Sequence, residues 1–243
     1  MSKKAVTDQD SDQVKDVENR CRLALVLNGD QAAALDAGTL GDILRAGDVS
    51  SIIFTPQTSD GLMDEAQWQP LVEPLVEMAQ KSGTAAIVTD YSRTAGRIGA
   101  DGFQTGQDPT EVGEAIEKYT PKMMVGAGNV KTRHTALVIG ELQPDYLMFG
   151  KPGGDTREEP HPKNVELGGW WAAMVEIPAI VLGGTAIESV VEVAKSGAEF
   201  VALGTAIFAP QDNVIDIKGA AERVRQANKL LDGHAPNFQT NED

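Results

Sequence analysis

Eight short apolar runs recur along the 243-residue chain, and a longer segment follows each of them. They occupy 23–27, 51–55, 85–89, 102–105, 123–126, 146–149, 179–182 and 200–203. Strands joined by crossover helices pair in parallel, and a parallel sheet is covered on both faces, so its strands are continuously apolar rather than alternating. IVLGG and VALGT have that character. Eight units are the number that closes a barrel, and the length suits one domain. The expected fold is therefore α/β: a single (β/α)8 TIM barrel over 21–231, with a flexible polar N-terminal arm over 1–20 and a flexible tail over 232–243.

The intervening segments carry helical signals. Between Asp64 and Lys81 the residues Trp68, Leu71, Val72, Leu75, Val76 and Ala79 recur at three- and four-residue spacing, which gathers them on one helical face. Asp108 followed by Pro109 predicts a helix N-cap with proline at the first helical position. The stretch from Lys151 to Glu166, rich in glycine, proline and charge, predicts a long loop after the sixth strand. On a barrel that loop lies on the face where active sites are assembled.

With 36 acidic against 21 basic residues, the formal charge of −15 repels nucleic acid and anionic lipid at long range. Neither is an expected partner. Cys21 is the one cysteine, so no intrachain disulfide forms, and no Cys/His spacing matches a zinc site. Residues 1–20 are polar where a signal peptide is apolar, and no apolar run approaches a membrane span. A cytoplasmic, soluble protein is expected. Aromatic residues on outer helices make a homodimer a reasonable expectation.

Two clusters carry chemistry. Gly183-Gly184 and Gly204-Thr205 end the last two strands, where glycines let backbone N–H groups approach an oxyanion and a following helix adds its dipole. They predict a phosphate cradle, a common feature after strands seven and eight. Asp90 follows the third strand directly, and Asp108 follows the fourth. Together they could hold magnesium through a few oxygens, although either could equally cap a helix. Lys151, Arg157, Lys163 and Arg93 are the cations nearest the rim in this reading, and His134 and His161 are candidate acids or bases. Trp170 and Trp171, within an apolar helical stretch, read as core or interface.

The stretch TDYSRTAGRIGADGFQTGQD, followed by MVGAGN, PDYLMFG, VLGG and GAEFVALGTAIF, resembles the thiamine phosphate synthase family and its thiazole tautomerase relatives. The likeness extends from about Leu23 to Arg225 and is clearest from Ala85 onward. It implies a transferase of thiamine biosynthesis that joins hydroxymethylpyrimidine diphosphate to thiazole phosphate, giving thiamine phosphate and diphosphate. It implies Mg2+ on Asp90 and Asp108, and thiazole phosphate on Gly183, Gly184, Gly204 and Thr205. Thr89, Gly128 and Lys151 stand at substrate-contact positions, Lys151 as the catalytic cation in place of the family's loop lysine.

The chain departs from the family pattern at several points. Thr89 replaces an asparagine, Gln104 a histidine and Gly128 a serine, and Thr55-Pro56-Gln57 lacks the arginine and lysine that follow the family's second strand. Three readings share this pocket: a divergent synthase, a barrel of the same lineage that isomerises or only binds a phosphorylated heterocycle, and a ligand sensor.

Overall fold

A computed structural model of the chain describes residues 19–209 and 214–238. The strands are β1 (Arg22–Leu27), β2 (Val49–Phe54), β3 (Gln57–Thr58), β4 (Gly61–Leu62), β5 (Ala85–Thr89), β6 (Gly102–Thr105), β7 (Met124–Ala127), β8 (Tyr146–Phe149), β9 (Ala179–Leu182) and β10 (Phe200–Leu203). Eight of them close a parallel barrel in the order β1-β10-β9-β8-β7-β6-β5-β2. The expected TIM barrel is thus present. The extra pair, β3 and β4, forms an antiparallel hairpin on the connection after β2.

The strands are apolar on both faces because each face packs against something different. Ala24, Val26, Ile53, Ile87, Tyr146, Met148, Ile180, Leu182 and Ala202 fill the barrel interior as one buried cluster. Their strand neighbours, among them Leu25, Phe54, Val88, Phe149, Val181 and Leu203, join a second cluster that packs against the helices. Successive side chains point to opposite faces, so the period of two is present but hidden by apolar residues on both sides.

The helices follow the local signals. α1 (Gly29–Ala33) starts with a capping box between Asn28 and Gln31, and α2 (Ala37–Leu44) is capped by Asp36. α3 (Glu65–Lys81) is capped by Asp64 and buries Trp68, Val72, Leu75, Val76 and Ala79, with Leu71 half-buried. α4 is Ser92–Ile98, α5 Pro109–Tyr119 with Asp108 as its cap, and α6 Arg133–Gly140. α7 (Pro162–Met174) begins inside the stretch expected to be a loop, because His161 Nδ1 accepts the Lys163 N–H at 3.2 Å and Pro162 sits in the first turn. The loop therefore ends at His161. α8 (Ser189–Lys195), α9 (Thr205–Phe208) and α10 (Ala220–His234) complete the chain.

The ends are packed further out than the polarity of the sequence suggests. Arg20 is 4% exposed, and its Nε donates to Asp232 Oδ1 at 3.0 Å. The Phe238 N–H reaches the Asn19 carbonyl at 2.8 Å. An ion pair between buried Arg20 and half-exposed Asp232 and a backbone bridge hold 19–20 against 232–238. The remainder of the expected arm and tail, 1–18 and 239–243, lies outside the described residues. The aromatic ground for a homodimer also changes. Trp68 and Trp171 are buried, and Trp170 is half-buried with the Arg133 guanidinium 5.0 Å from its ring centroid. Among the described residues the large exposed hydrophobics are Leu62, Leu137, Leu142, Met174 and Val214, none of them aromatic. No described helix is long and apolar enough to cross a membrane.

Candidate active site

Two adjoining cavities open at the C-terminal mouth of the barrel. The first, about 260 Å³, is bounded by Thr55, Thr89, Asp90, Gln104, Thr105, Glu111, Gly128 and Asn129. The second, about 780 Å³, lies over β1 and β10 and includes Asn28, Asp30, Gln31, Asp155 and Thr205. Gln57, Lys151 and Pro152 border both. Thr89, Asp90, Gly128 and Lys151, all singled out from sequence, are thus brought to one cavity.

Asp90 sits on an exposed bend with φ 64°, and the Thr89 hydroxyl donates to its Oδ2 at 2.5 Å. A non-glycine residue in that left-handed region is uncommon. The side chain does not cap α4, whose N-cap position is Tyr91 and carries no side-chain cap bond. Asp108 behaves differently: its Oδ1 accepts the N–H groups of Thr110 at 2.9 Å and Glu111 at 3.2 Å, so the capping role is the one seen. Its Oδ2 has no part in that cap. Glu111, one helical turn on, faces the cavity where Asp108 does not. Among the described residues no group of three or more His, Cys, Asp and Glu gathers as a metal cluster.

The floor of the first cavity is set by a pair missed in the sequence reading. Tyr146 is buried inside the barrel, and its hydroxyl donates to Gln104 Oε1 at 3.2 Å. Burial pushes the Tyr146 phenol far above its usual range, so it stays protonated and able to donate. Both residues need glycine opposite them. A Cβ at Gly126 would stand 2.0 Å from the Tyr146 ring, and one at Gly128 would stand 2.5 Å from Gln104 Nε2. The serine-to-glycine departure at 128 is explained by the glutamine that fills the space. The signal in the sequence was the joint occurrence of Gln104, Gly126 and Tyr146 on three adjacent strands, with Gly128 directly after the middle one.

The glycine turns after β9 and β10 are engaged within the chain. Gly183 N–H bonds the Ala202 carbonyl at 2.9 Å, and Gly184 N–H the Ser189 hydroxyl at 3.0 Å. Thr205 N–H bonds Asp155 Oδ2 at 2.5 Å. Gly183 and Asp155 both line a small third cavity of about 40 Å³, while Thr205 and Asp155 both line the large one. The Asp155 segment is the wall between them.

The mouth is acidic. Asp30, Asp90, Glu111 and Asp155 border the two larger cavities, against Lys151 as the cation among the described lining residues. Arg157 and His161 face the small cavity, whereas Arg93, Lys163 and His134 line none of the three. The reason is geometric: Arg93 and His134 sit in α4 and α6, and Lys163 in the first turn of α7. After β2, where the family pattern has two cations, the chain forms the β3–β4 hairpin, pinned by the Ser59 N–H on Asp30 Oδ2 at 2.7 Å.

With this geometry in hand, similarity to known proteins is informative. The family profile described as thiamine monophosphate synthase matches residues 23–207. A thiamine-phosphate synthase of Rhodospirillum centenum is 33% identical over 185 residues, covering 75% of this chain and 87% of that protein. One of Hyphomonas neptunium is 29% identical over 198 residues, covering 81% and 87%. Among solved structures, the thiamine phosphate pyrophosphorylase of Pyrococcus furiosus superposes with a TM-score of 0.67 at 20% identity, covering 89% of this chain and 99% of that one. That last likeness speaks for the barrel alone. The profile match across the barrel, together with the 33% identical relative, shows that the chain belongs to the thiamine monophosphate synthase family.

Proposed function

We propose that the protein is a thiamine-phosphate synthase, which joins hydroxymethylpyrimidine diphosphate and thiazole phosphate into thiamine phosphate with release of diphosphate. The observation that carries this reading is a barrel-mouth cavity bordered by Thr89, Asp90, Gly128 and Lys151, the positions that the family resemblance assigns to substrate and metal. The adjoining larger cavity gives room for a second substrate beside the first.

The pyrimidine's methylene–oxygen bond breaks with its electron pair leaving on diphosphate, and the thiazole nitrogen then donates its lone pair to the methylene carbon. No proton need be removed to form that bond. The chain's task is to hold the two fragments in line and to receive the charge of the departing diphosphate. Lys151, bordering both cavities, supplies a positive charge between them. The Gln104 amide, oriented by Tyr146, offers polar contact to a ring entering the first cavity. Thr205, with Gly183, Gly184 and Gly204, forms the cradle for the thiazole phosphate.

Magnesium belongs to the same reading, held by Asp90 at the cavity, with Asp108, which caps α5 outside the cavity lining, able to contribute only its Oδ2 from the rim. The donor chemistry fits: hard carboxylate oxygens suit this ion, Asp90 is not engaged in a helix cap, and an acidic mouth with one bordering lysine needs added positive charge to accept a diphosphate. When bound, the ion would neutralise diphosphate oxygens in the ground state and as they leave.

Purified protein supplied with both substrates and magnesium should form thiamine phosphate, and Asp90→Ala should not. Absence of product from the unmodified protein, with retained binding of thiazole phosphate, would leave the second reading: a barrel that isomerises or only binds a phosphorylated heterocycle. The β3–β4 hairpin in place of the strand-two cations is the observation that favours it.

A further inference from the structure

Asp155 is a buried carboxylate, 6% exposed, at the edge of the barrel mouth. The Thr205 N–H donates to its Oδ2 at 2.5 Å, a Cβ at Gly204 would stand 3.2 Å from the same oxygen, and none of the salt bridges among the described residues reaches it. A buried anion without a cation is unfavourable unless several donors converge on it. A backbone N–H at a glycine turn, engaged here by a buried carboxylate oxygen, is the kind of donor that receives a phosphate oxygen.

The neighbouring residues complete the substitution. Thr185 N–H bonds the Arg157 carbonyl at 2.7 Å, and Ala186 N–H the Glu158 carbonyl at 3.2 Å. A Cβ at Gly184 would stand 2.0 Å from the Glu158 carbonyl oxygen, so the 155–158 segment lies directly on the turn after β9. The same segment reaches the turn after β10 through Asp155. Both halves of the expected cradle are therefore covered by one stretch of the chain.

We infer that the 155–158 segment is an internal competitor for the acceptor's phosphate, with the Asp155 carboxylate standing where a phosphate oxygen binds. This rests on the reading of the two glycine turns as a phosphate cradle. Phosphate then binds only when the segment withdraws, and the apparent affinity falls by the fraction of molecules in which it has withdrawn. If about one molecule in ten is open, the loss is about tenfold. Withdrawal would also merge the small cavity at Gly183 with the large one at Thr205, since Asp155 and Thr156 border both. Asp155 thus sets how tightly phosphorylated acceptors bind relative to unphosphorylated ones.

The test uses the full-length protein and its Asp155→Ala and Asp155→Asn variants. Affinities for thiazole phosphate, for the unphosphorylated thiazole alcohol and for inorganic phosphate are measured by calorimetry, and thiamine phosphate formation is measured alongside. Asp155→Ala should bind thiazole phosphate and inorganic phosphate at least about tenfold more tightly, with the alcohol unchanged. Asp155→Asn, which keeps the shape without the charge, should gain less and serves if the alanine variant misfolds. Hydrogen exchange on the unmodified protein should show Thr185 and Ala186, which donate to the 157 and 158 carbonyls, losing protection and Thr205 keeping it when phosphate is added. Equal or weaker phosphate affinity in both variants, or unchanged exchange at saturating phosphate, would overturn the competition. Tighter phosphate binding without any thiamine phosphate would instead sustain the competition and reject the synthase reading. Turnover with unchanged affinities would do the reverse.

Discussion

The wall of the first cavity and the pair of glycine turns are both recognisable as family sequence, yet the chain treats them in opposite ways. Along the wall, Thr89, Asp90 and Gly128 border open space. At the turns, the N–H groups of Gly183, Gly184 and Thr205 already have partners. Gly183 and Gly184 are bonded to Ala202 and Ser189, and Thr205 to Asp155 of the loop after β8, so a motif fixes which groups can bind while that loop decides whether Thr205 is available. The loop after β8, which carries Lys151 in place of the family's loop lysine, lies on the turns after β9 and β10.

If the wall is the reacting side, Asp90→Ala has the largest effect. Turnover should fall by about 10²–10³-fold, the scale of removing one group that stabilises developing charge. Stability should fall only slightly, by about 1 kcal/mol, because the side chain caps no helix but alanine is less tolerated than aspartate at φ 64° and the Thr89 hydroxyl loses its acceptor. Steady-state kinetics with a thermal melt check both halves, and unaltered turnover would remove the wall from the chemistry. Lys151→Ala should be next, at about 10–100-fold in kcat/KM for the pyrimidine diphosphate, since one charge-assisted contact contributes about 1.5–3 kcal/mol. A loss confined to the thiazole substrate would assign the lysine to the other cavity.

Gly126→Ala probes the floor. The added Cβ meets the Tyr146 ring at 2.0 Å, so a loss of about 1–3 kcal/mol is expected from overpacking, measurable by denaturant unfolding. Tyr146→Ala in the same chain should recover part of it. Recovery near zero would mean that the ring and the glycine are not coupled.

The smallest effect is on pH dependence. Burial raises the carboxyls of Asp155 and Glu199 above the usual carboxylate range, against the hydrogen bonds from Thr205 and Ala179 that lower them. A pKa raised by folding contributes stability below the unfolded value and loses it as pH rises through the folded one. Stability from these two groups should therefore decline from the ordinary carboxylate range upward. Asp155→Asn should remove its part of that slope in urea melts at several pH values. An unchanged slope would mean that the buried charge is relieved by something other than its donors.

What could be read from the sequence follows from how local each feature is. The eight strands, the cap at Asp108 and the Trp68 face of α3 depend on a few neighbouring residues, and they stand where expected. The Arg20–Asp232 pair and the bond from Phe238 to Asn19 join opposite ends of the chain and have no local signature. The same holds at the site. Asp90 announces itself by following a strand, but Gln104 gains its meaning only through Tyr146, 42 residues away. Asp155 lies 50 residues before the Thr205 N–H that it engages, and nothing in Gly153-Gly154-Asp155-Thr156 reveals where the carboxylate goes.

The most direct test of the account is a single reaction of the unmodified protein with hydroxymethylpyrimidine diphosphate, thiazole phosphate and magnesium, following both products by phosphorus NMR. The account predicts thiamine phosphate and diphosphate appearing in equal amounts, and neither product once magnesium is chelated. Diphosphate without thiamine phosphate, or neither product with magnesium present, would contradict it.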